Sequence, residues 1–392
     1  MKKFLAVILA LTMVMALVAC GGGSSSTGSG DSGTTTTTQP ADSGSTDAAP
    51  AAEALRVAMI SDYGDITDQS FNQFTYLGCK EWAEANDVDF TYFKPVGDSD
   101  DDRIATIEQA IDAGYTTLVM PGYAFGPAIA ATVNDYPDVN YIAIDVSESD
   151  LGAGFAIPAN LYTCVYQEEL CGYMAGYATV ALGYTKLGFL GGMAVPAVVR
   201  YGYGWVQGAN DAAAETGATV TMNYAYGNQF YGDADITAAM DTWYAAGTEV
   251  VFACGGGIYT SAAEAAAKVG GKVVGVDVDQ ASIIDSYGEG MTLTSAMKAL
   301  GYATQVKLDE VKAGSFQGGM AATLGLVSAD PEENYVGIPM ESTQWSDSFT
   351  QDDYKAMVAD MFSGKLTVSN DITKSANDFA TAITLNDLGN IK

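Results

Sequence analysis

The 392-residue sequence contains no histidine. That removes the usual general base, the usual zinc ligand and every Ser-His or Cys-His catalytic pairing, which counts against most hydrolases. Positive charge is scarce: 17 Lys and Arg stand against 48 Asp and Glu, a net charge of −31. Such a surface repels phosphate backbones, so nucleic acid is not an expected partner, and the charge is read mainly as a solubility feature. Cysteine is sparse, at positions 20, 79, 164, 171 and 254, with no CxxC pair. Cys164 and Cys171 leave two readings open, a disulfide or buried free thiols. No metal, cofactor or catalytic residue is expected from this inventory.

What is present begins with a tripartite N-terminus: Lys2 and Lys3, an apolar run from Phe4 to Ala16, then Leu17-Val18-Ala19-Cys20. This is the order of an export signal, and the run is too short to span a bilayer comfortably. A cysteine after small residues and before Gly21-Gly22-Gly23 is similar to the modification site of bacterial lipoproteins. Residues 1–19 are therefore read as a signal peptide and Cys20 as a lipidated mature N-terminus. Several acyl chains at about 0.8 kcal/mol per buried CH₂ make a lasting anchor on the extracytoplasmic side of the cell membrane. Apart from Cys20, Gln39 and Glu53, residues 20–53 are Gly, Ser, Thr, Asp, Ala and Pro without apolar periodicity, a tether with a reach of roughly 30 Å.

The rest of the chain is long enough for two compact lobes. Buried-strand patterns at Leu55 to Ile60, Thr117 to Met120 and Tyr141 to Ile144 alternate with helical stretches at Phe71 to Asn86, Arg103 to Ala113 and Pro127 to Tyr136. The grammar restarts with a helix at Glu168 to Leu182, a strand at Lys186 to Leu190 and a helix at Trp205 to Glu215. Strands follow at Thr219 to Tyr224, Glu249 to Ala253 and Lys272 to Val276. Such alternation predicts parallel α/β sheets, and two of them facing each other make a ligand cleft at their strands' carboxyl ends. The expected first lobe is 54–147 plus about 278–324, the second 148–277 plus about 325–369, and 370–392 is a polar tail. Asp62, Asp145, Gly255-Gly256-Gly257 and Asp277 each follow a strand, where a side chain can enter the cleft or simply cap a turn.

Several ordered fragments resemble the basic membrane protein lipoproteins, a family that includes purine nucleoside receptors of ABC importers. They are Val57 to Asp62, Asp68-Gln69-Ser70-Phe71-Asn72-Gln73, Glu168-Glu169-Leu170-Cys171-Gly172 through Gly176, Gly188 to Met193, Phe252 to Gly257, Gly275 to Gln280, and Leu293-Thr294-Ser295 with Lys298. Two departures touch the cleft entrance: Gln69 where the family usually has Lys, and the stretch Tyr63-Gly64-Asp65-Ile66. The resemblance implies the type I periplasmic-binding-protein-like fold, two Rossmann-like lobes joined by three crossovers near Asp145, Asp277 and Gly325. It implies that Phe71 and Phe230 are opposing aromatic plates for a base, with Tyr201, Tyr226 and Tyr231 as alternatives to the second. It also implies that Asp62 and Asn72 serve base edges, that Asp277 and Lys298 serve ribose, and that Asp145 contacts sugar or holds the hinge. Lys298 is placed early in a helix. Gly255 and Gly256 would let backbone approach the ligand.

The function so implied is a lipid-anchored, monomeric receptor that is not an enzyme. It would close on a purine nucleoside and deliver it to an ABC permease. Alternatives are a receptor of the same fold for a sugar, flavin or signalling molecule, a sensory subunit, and, from another class, a nucleoside hydrolase with calcium held by Asp62, Asp65 and Asp68.

Overall fold

The computed structural model describes residues 54–62 and 64–392. The expected signal peptide, the lipidation site Cys20 and the tether 20–53 lie outside them. No described helix is long and apolar enough to cross a membrane.

Apolar runs buried on both faces set the first sheet. The chain runs β1 (Arg56–Ile60), α1 (Phe71–Asn86), β2 (Asp89–Phe93), α2 (Asp100–Asp112), β3 (Thr117–Pro121), α3 (Gly126–Thr132), β4 (Asn140–Ile144) and β5 (Leu161–Tyr166). Local chemistry starts α2: the Ser99 hydroxyl accepts from the Asp102 N–H, and Asp100, Asp101 and Asp102 face the positive end of the helix dipole. The chain then builds a second unit from α4 (Glu168–Ala181), β6 (Lys186–Gly191), α5 (Pro196–Thr216), β7 (Thr221–Tyr226), α6 (Ala234–Ala245), β8 (Val250–Cys254), α7 (Tyr259–Ala267), β9 (Lys272–Asp277), α8 (Ala281–Ile284) and β10 (Thr292–Lys298). It returns to the first unit with α9 (Leu300–Lys312) and β11 (Met320–Leu324). It ends in the second with β12 (Val336–Gly337), α10 (Gln351–Phe362) and β13 (Thr384–Asn390).

The strand orders are β11-β5-β4-β3-β1-β2 and β12-β10-β9-β8-β6-β7-β13. All pairs are parallel except β12 with β10. This is the expected two-lobed α/β architecture.

The lobe boundaries differ from those expected from the sequence. β5 pairs with β4, and β10 pairs with β9, so each lobe keeps one more strand before the chain leaves it. The exchanges fall after Tyr166, after Lys298 and after Leu324, about twenty residues beyond the expected 147/148 and 277/278 junctions; only the third lies near the expected Gly325. Asp145 and Asp277 therefore end strands inside their lobes and are not crossover residues. The expected tail also folds, since β13 pairs with β7 as the edge of the second sheet. Two exchange segments touch: the Gln167 N–H donates to the Leu324 carbonyl at 2.9 Å. A Cβ added to Gly325 would lie 1.6 Å from Gln167 Oε1.

α4 and α5 pack backbone to backbone. A Cβ on Gly172 or Gly176 of α4 would come within 2.3 Å of the Tyr201 or Trp205 carbonyl oxygen, and one on Gly204 or Gly208 of α5 within 2.1 Å of Glu169 or Tyr173 oxygen. Reciprocal absence of side chains lets the two helices close, and it fixes the N-terminal turn of α4 against the first turns of α5. Cys79, Cys164, Cys171 and Cys254 are buried free thiols, which decides the open reading of Cys164 and Cys171.

Candidate functional site

A cavity of about 810 Å³ lies where the carboxyl ends of the two sheets face each other. All nine residues expected at the cleft line it: Asp62, Phe71, Asn72 and Asp145 from the first lobe, and Phe230, Gly255, Gly256, Asp277 and Lys298 from the second. The common cause is topological. Parallel strands deliver the residue after each carboxyl end to the same side of the sheet.

The loop from β1 to α1 is built around Asp68. Its carboxylate accepts from the Ser70, Asn72 and Gln73 N–H groups and from Asn72 Nδ2 at 2.9–3.2 Å. That saturated carboxylate fixes the start of α1 and so presents Phe71 and Asn72 to the cavity. Asp65 instead faces Lys94 at 3.3 Å, and Asp62 accepts from the Gly64 N–H at 3.1 Å. The three aspartates thus do three separate local jobs, and among the described residues no cluster suited to a metal ion forms. Burial pushes the Asp62 carboxyl up to about 6, against the lowering effect of its bonds with Gly64 and Asn72 and of the Arg103 charge.

Lys298 is the centre of the second feature. It ends β10 rather than beginning a helix, as the sequence had suggested, and it is 5 % exposed. Its ammonium bonds the Asp145 carboxylate across the cleft and lies 3.5 Å from Asp277 Oδ1 and 3.7 Å from Glu168 Oε1. Glu168 Oε2 accepts from Arg200 Nε at 2.6 Å. Burial by itself would lower the Lys298 pKa; the Asp145, Asp277 and Glu168 charges outweigh it and hold the group above its ordinary value. The ammonium also sits 4.8 Å from the Phe71 ring centroid, with Tyr166 and Tyr201 at 5.5 and 5.6 Å.

Asp145 and Asp277 both hold left-handed backbone, at φ 57° and 66°. Non-glycine residues pay for that conformation, and such strain concentrates where side-chain direction matters. Asp145 Oδ1 and Asn72 Oδ1 are buried acceptors with no hydrogen-bond donor among the described residues. Gly255 and Gly256 have a structural duty besides lining the cavity. A Cβ on Gly255 would lie 3.1 Å from Phe230 Cδ1, and one on Gly256 would lie 2.9 Å from the Phe230 carbonyl oxygen. The missing side chains seat Phe230.

Sequence reasoning gave no role to Glu168, Arg200, Tyr201 or Tyr166 in the charge cluster. Glu168 had a signal, because it opens the Glu-Glu…Gly…Gly stretch at the head of α4. Arg200 had none, since the expected helix began at Trp205 whereas α5 starts at Pro196.

Residues 55–362 match the family described as ABC transporter substrate-binding protein, PnrA-like, abbreviated Bmp. A relative from Lactococcus lactis subsp. cremoris, an "ABC transporter nucleoside-binding protein BmpA", is 26 % identical over 332 residues, covering 80 % of this chain and 89 % of that one. Two solved ABC transporter solute-binding proteins share the fold, each with TM-score 0.63 and 21 % identity. That from Aeropyrum pernix is covered to 90 % and that from Conexibacter woesei to 99 %, against 83 % and 81 % of this chain.

Proposed function

The chain belongs to the Bmp family of PnrA-like ABC transporter substrate-binding proteins, and within that role we propose that it captures a purine nucleoside between its lobes and passes it to an importer. The observation that carries this reading is one cavity lined by a phenylalanine from each lobe, Phe71 and Phe230. A base is flat and apolar on its faces, and each aromatic contact is worth about 0.5–1.5 kcal/mol beyond area burial. Ribose supplies hydroxyl donors, which suit the carboxylates of Asp145 and Asp277 in the cavity wall.

Charge favours a nucleoside over a nucleotide. Seven aspartates but only Lys94, Arg200 and Lys298 line the cavity, so a phosphate would enter a negative field. The nucleoside-binding description of the Lactococcus relative agrees with this reading. We propose further that Cys20 carries the lipid anchor, which places the receptor at the extracytoplasmic face beside its permease and raises its effective concentration there.

Calorimetry on refolded, ligand-stripped protein tests the reading with guanosine, inosine, adenosine, guanosine monophosphate and arabinose. At least one nucleoside should bind, its monophosphate far more weakly, and Phe71→Ala or Phe230→Ala should weaken the nucleoside by about tenfold or more. Binding of arabinose with none of the three nucleosides would overturn it.

A further inference from the structure

Besides the Lys298–Asp145 ion pair, two hydrogen bonds join the lobes with protein atoms at both ends, and one of them reaches Asp277, a member of the Lys298 cluster. The Ser70 hydroxyl, from the first lobe's β1–α1 loop, donates to Asp277 Oδ2 of the second lobe at 2.5 Å, buried. Gln280 Nε2, from the second lobe, donates to the Gln69 carbonyl of the same first-lobe loop at 3.0 Å.

Both partners are held ready for these bonds by their own lobes. Gln280 is fully buried; its Oε1 accepts from the Val276 N–H at 2.9 Å, and its own N–H donates to Ser295 Oγ at 3.2 Å. With the oxygen of the amide fixed by its own lobe, the nitrogen must point outward. Gly275 leaves the room for it, because a Cβ there would come 2.9 Å from Gln280 Cβ. On the facing lobe, Gln69 adopts left-handed backbone at φ 57°, and its N–H is tied to Gln73 Oε1 at 3.0 Å. Asp68 braces the same loop through Ser70, Asn72 and Gln73. A strained, braced carbonyl meeting a pre-aimed buried amide costs little ordering entropy at contact.

We propose that Ser70 and Gln280 are positioning residues forming a latch, which holds the lobes together whatever small molecule lies between them. The latch acts on the loop that carries Phe71 and Asn72, so it sets where those two side chains stand relative to the second lobe. It needs no ligand atom, and closure is therefore partly encoded in the protein itself. A hydrogen bond to a charged acceptor is among the stronger kind, so loss of Ser70 Oγ shifts the closed-to-open ratio by about tenfold.

Small-angle X-ray scattering of the refolded, ligand-stripped full chain reads that ratio through the radius of gyration. The result is independent of the nucleoside reading, because no ligand is present. Ser70→Ala and Gln280→Glu, the latter retaining the oxygen that faces Val276 while removing the donor, should both increase the radius relative to wild type. Ser70→Thr, which keeps the hydroxyl, should stay at the wild-type value. Cooperative thermal unfolding of each variant shows that the lobes themselves remain folded; should one variant fail this check, the other still decides. Scattering curves of Ser70→Ala and Gln280→Glu that superimpose on wild type, or opening of Ser70→Thr to the extent of Ser70→Ala, would overturn the latch.

Discussion

Lys298 at the end of β10 and Asp145 at the end of β4 form an ion pair from one lobe to the other. The same ammonium also answers Asp277 and Glu168, so a single buried cation offsets three carboxylates with help only from Arg200.

Removing that cation strands buried negative charge. Lys298→Met keeps the length of the side chain and is expected to cost about 3–5 kcal/mol in urea unfolding, the range for breaking a buried pair from one side. Adding Asp145→Asn removes one stranded carboxylate and should recover part of the loss, giving a coupling energy above about 0.5 kcal/mol in the double-mutant cycle. Additive losses would mean that the two residues do not depend on each other.

Asp62 should make ligand capture pH-dependent. Its carboxyl titrates near 6, so a proton is held there below that pH. A ligand donor prefers the ionised carboxylate, and binding at lower pH must expel the proton. The Kd for guanosine should be flat above pH 7 and rise below pH 6, approaching about tenfold per pH unit. Asp62→Asn should bind more weakly at pH 8 and show no such rise. Calorimetry between pH 5 and 8 reads both.

Glu169 should make the folded protein less stable as pH rises. Beside Glu168 at the head of α4, it is 2 % exposed with Oε2 unpartnered, and burial pushes its carboxyl from 4.5 to about 7. Between those values the folded state holds a proton that the unfolded state has lost, so this group's contribution to stability falls as pH rises from 4.5 to 7 and is constant above. Glu169→Gln, neutral at every pH, should melt at least about 2–4 °C above wild type at pH 8. The two curves should converge near pH 4.5. A difference that does not change with pH would locate the effect in packing instead.

The sequence by itself determined the two-lobed α/β plan and the cleft-facing positions after β1, β4, β7, β8 and β9. Parallel strands buried on both faces are continuous apolar runs, and those run ends are local features. It did not reveal β10 or β13 as strands of the second sheet. β10 reads Thr-Leu-Thr-Ser-Ala-Met-Lys, and its hydroxyls become acceptable in the core only because distant groups satisfy them, as Thr294 meets Thr343 at 2.7 Å. β13 reads Thr-Leu-Asn-Asp-Leu-Gly-Asn and is largely exposed, so its place rests on backbone pairing to β7, which leaves no hydrophobic pattern. Missing β10, together with β5 in the first sheet, moved the first two lobe boundaries, and missing β10 put Lys298 on a helix. Only the tertiary structure decided that Glu168, Arg200 and Gln280 belong with the cleft. Their partners lie far away along the chain, and a charge or an amide acquires its role from what folding sets opposite it, which no local periodicity records.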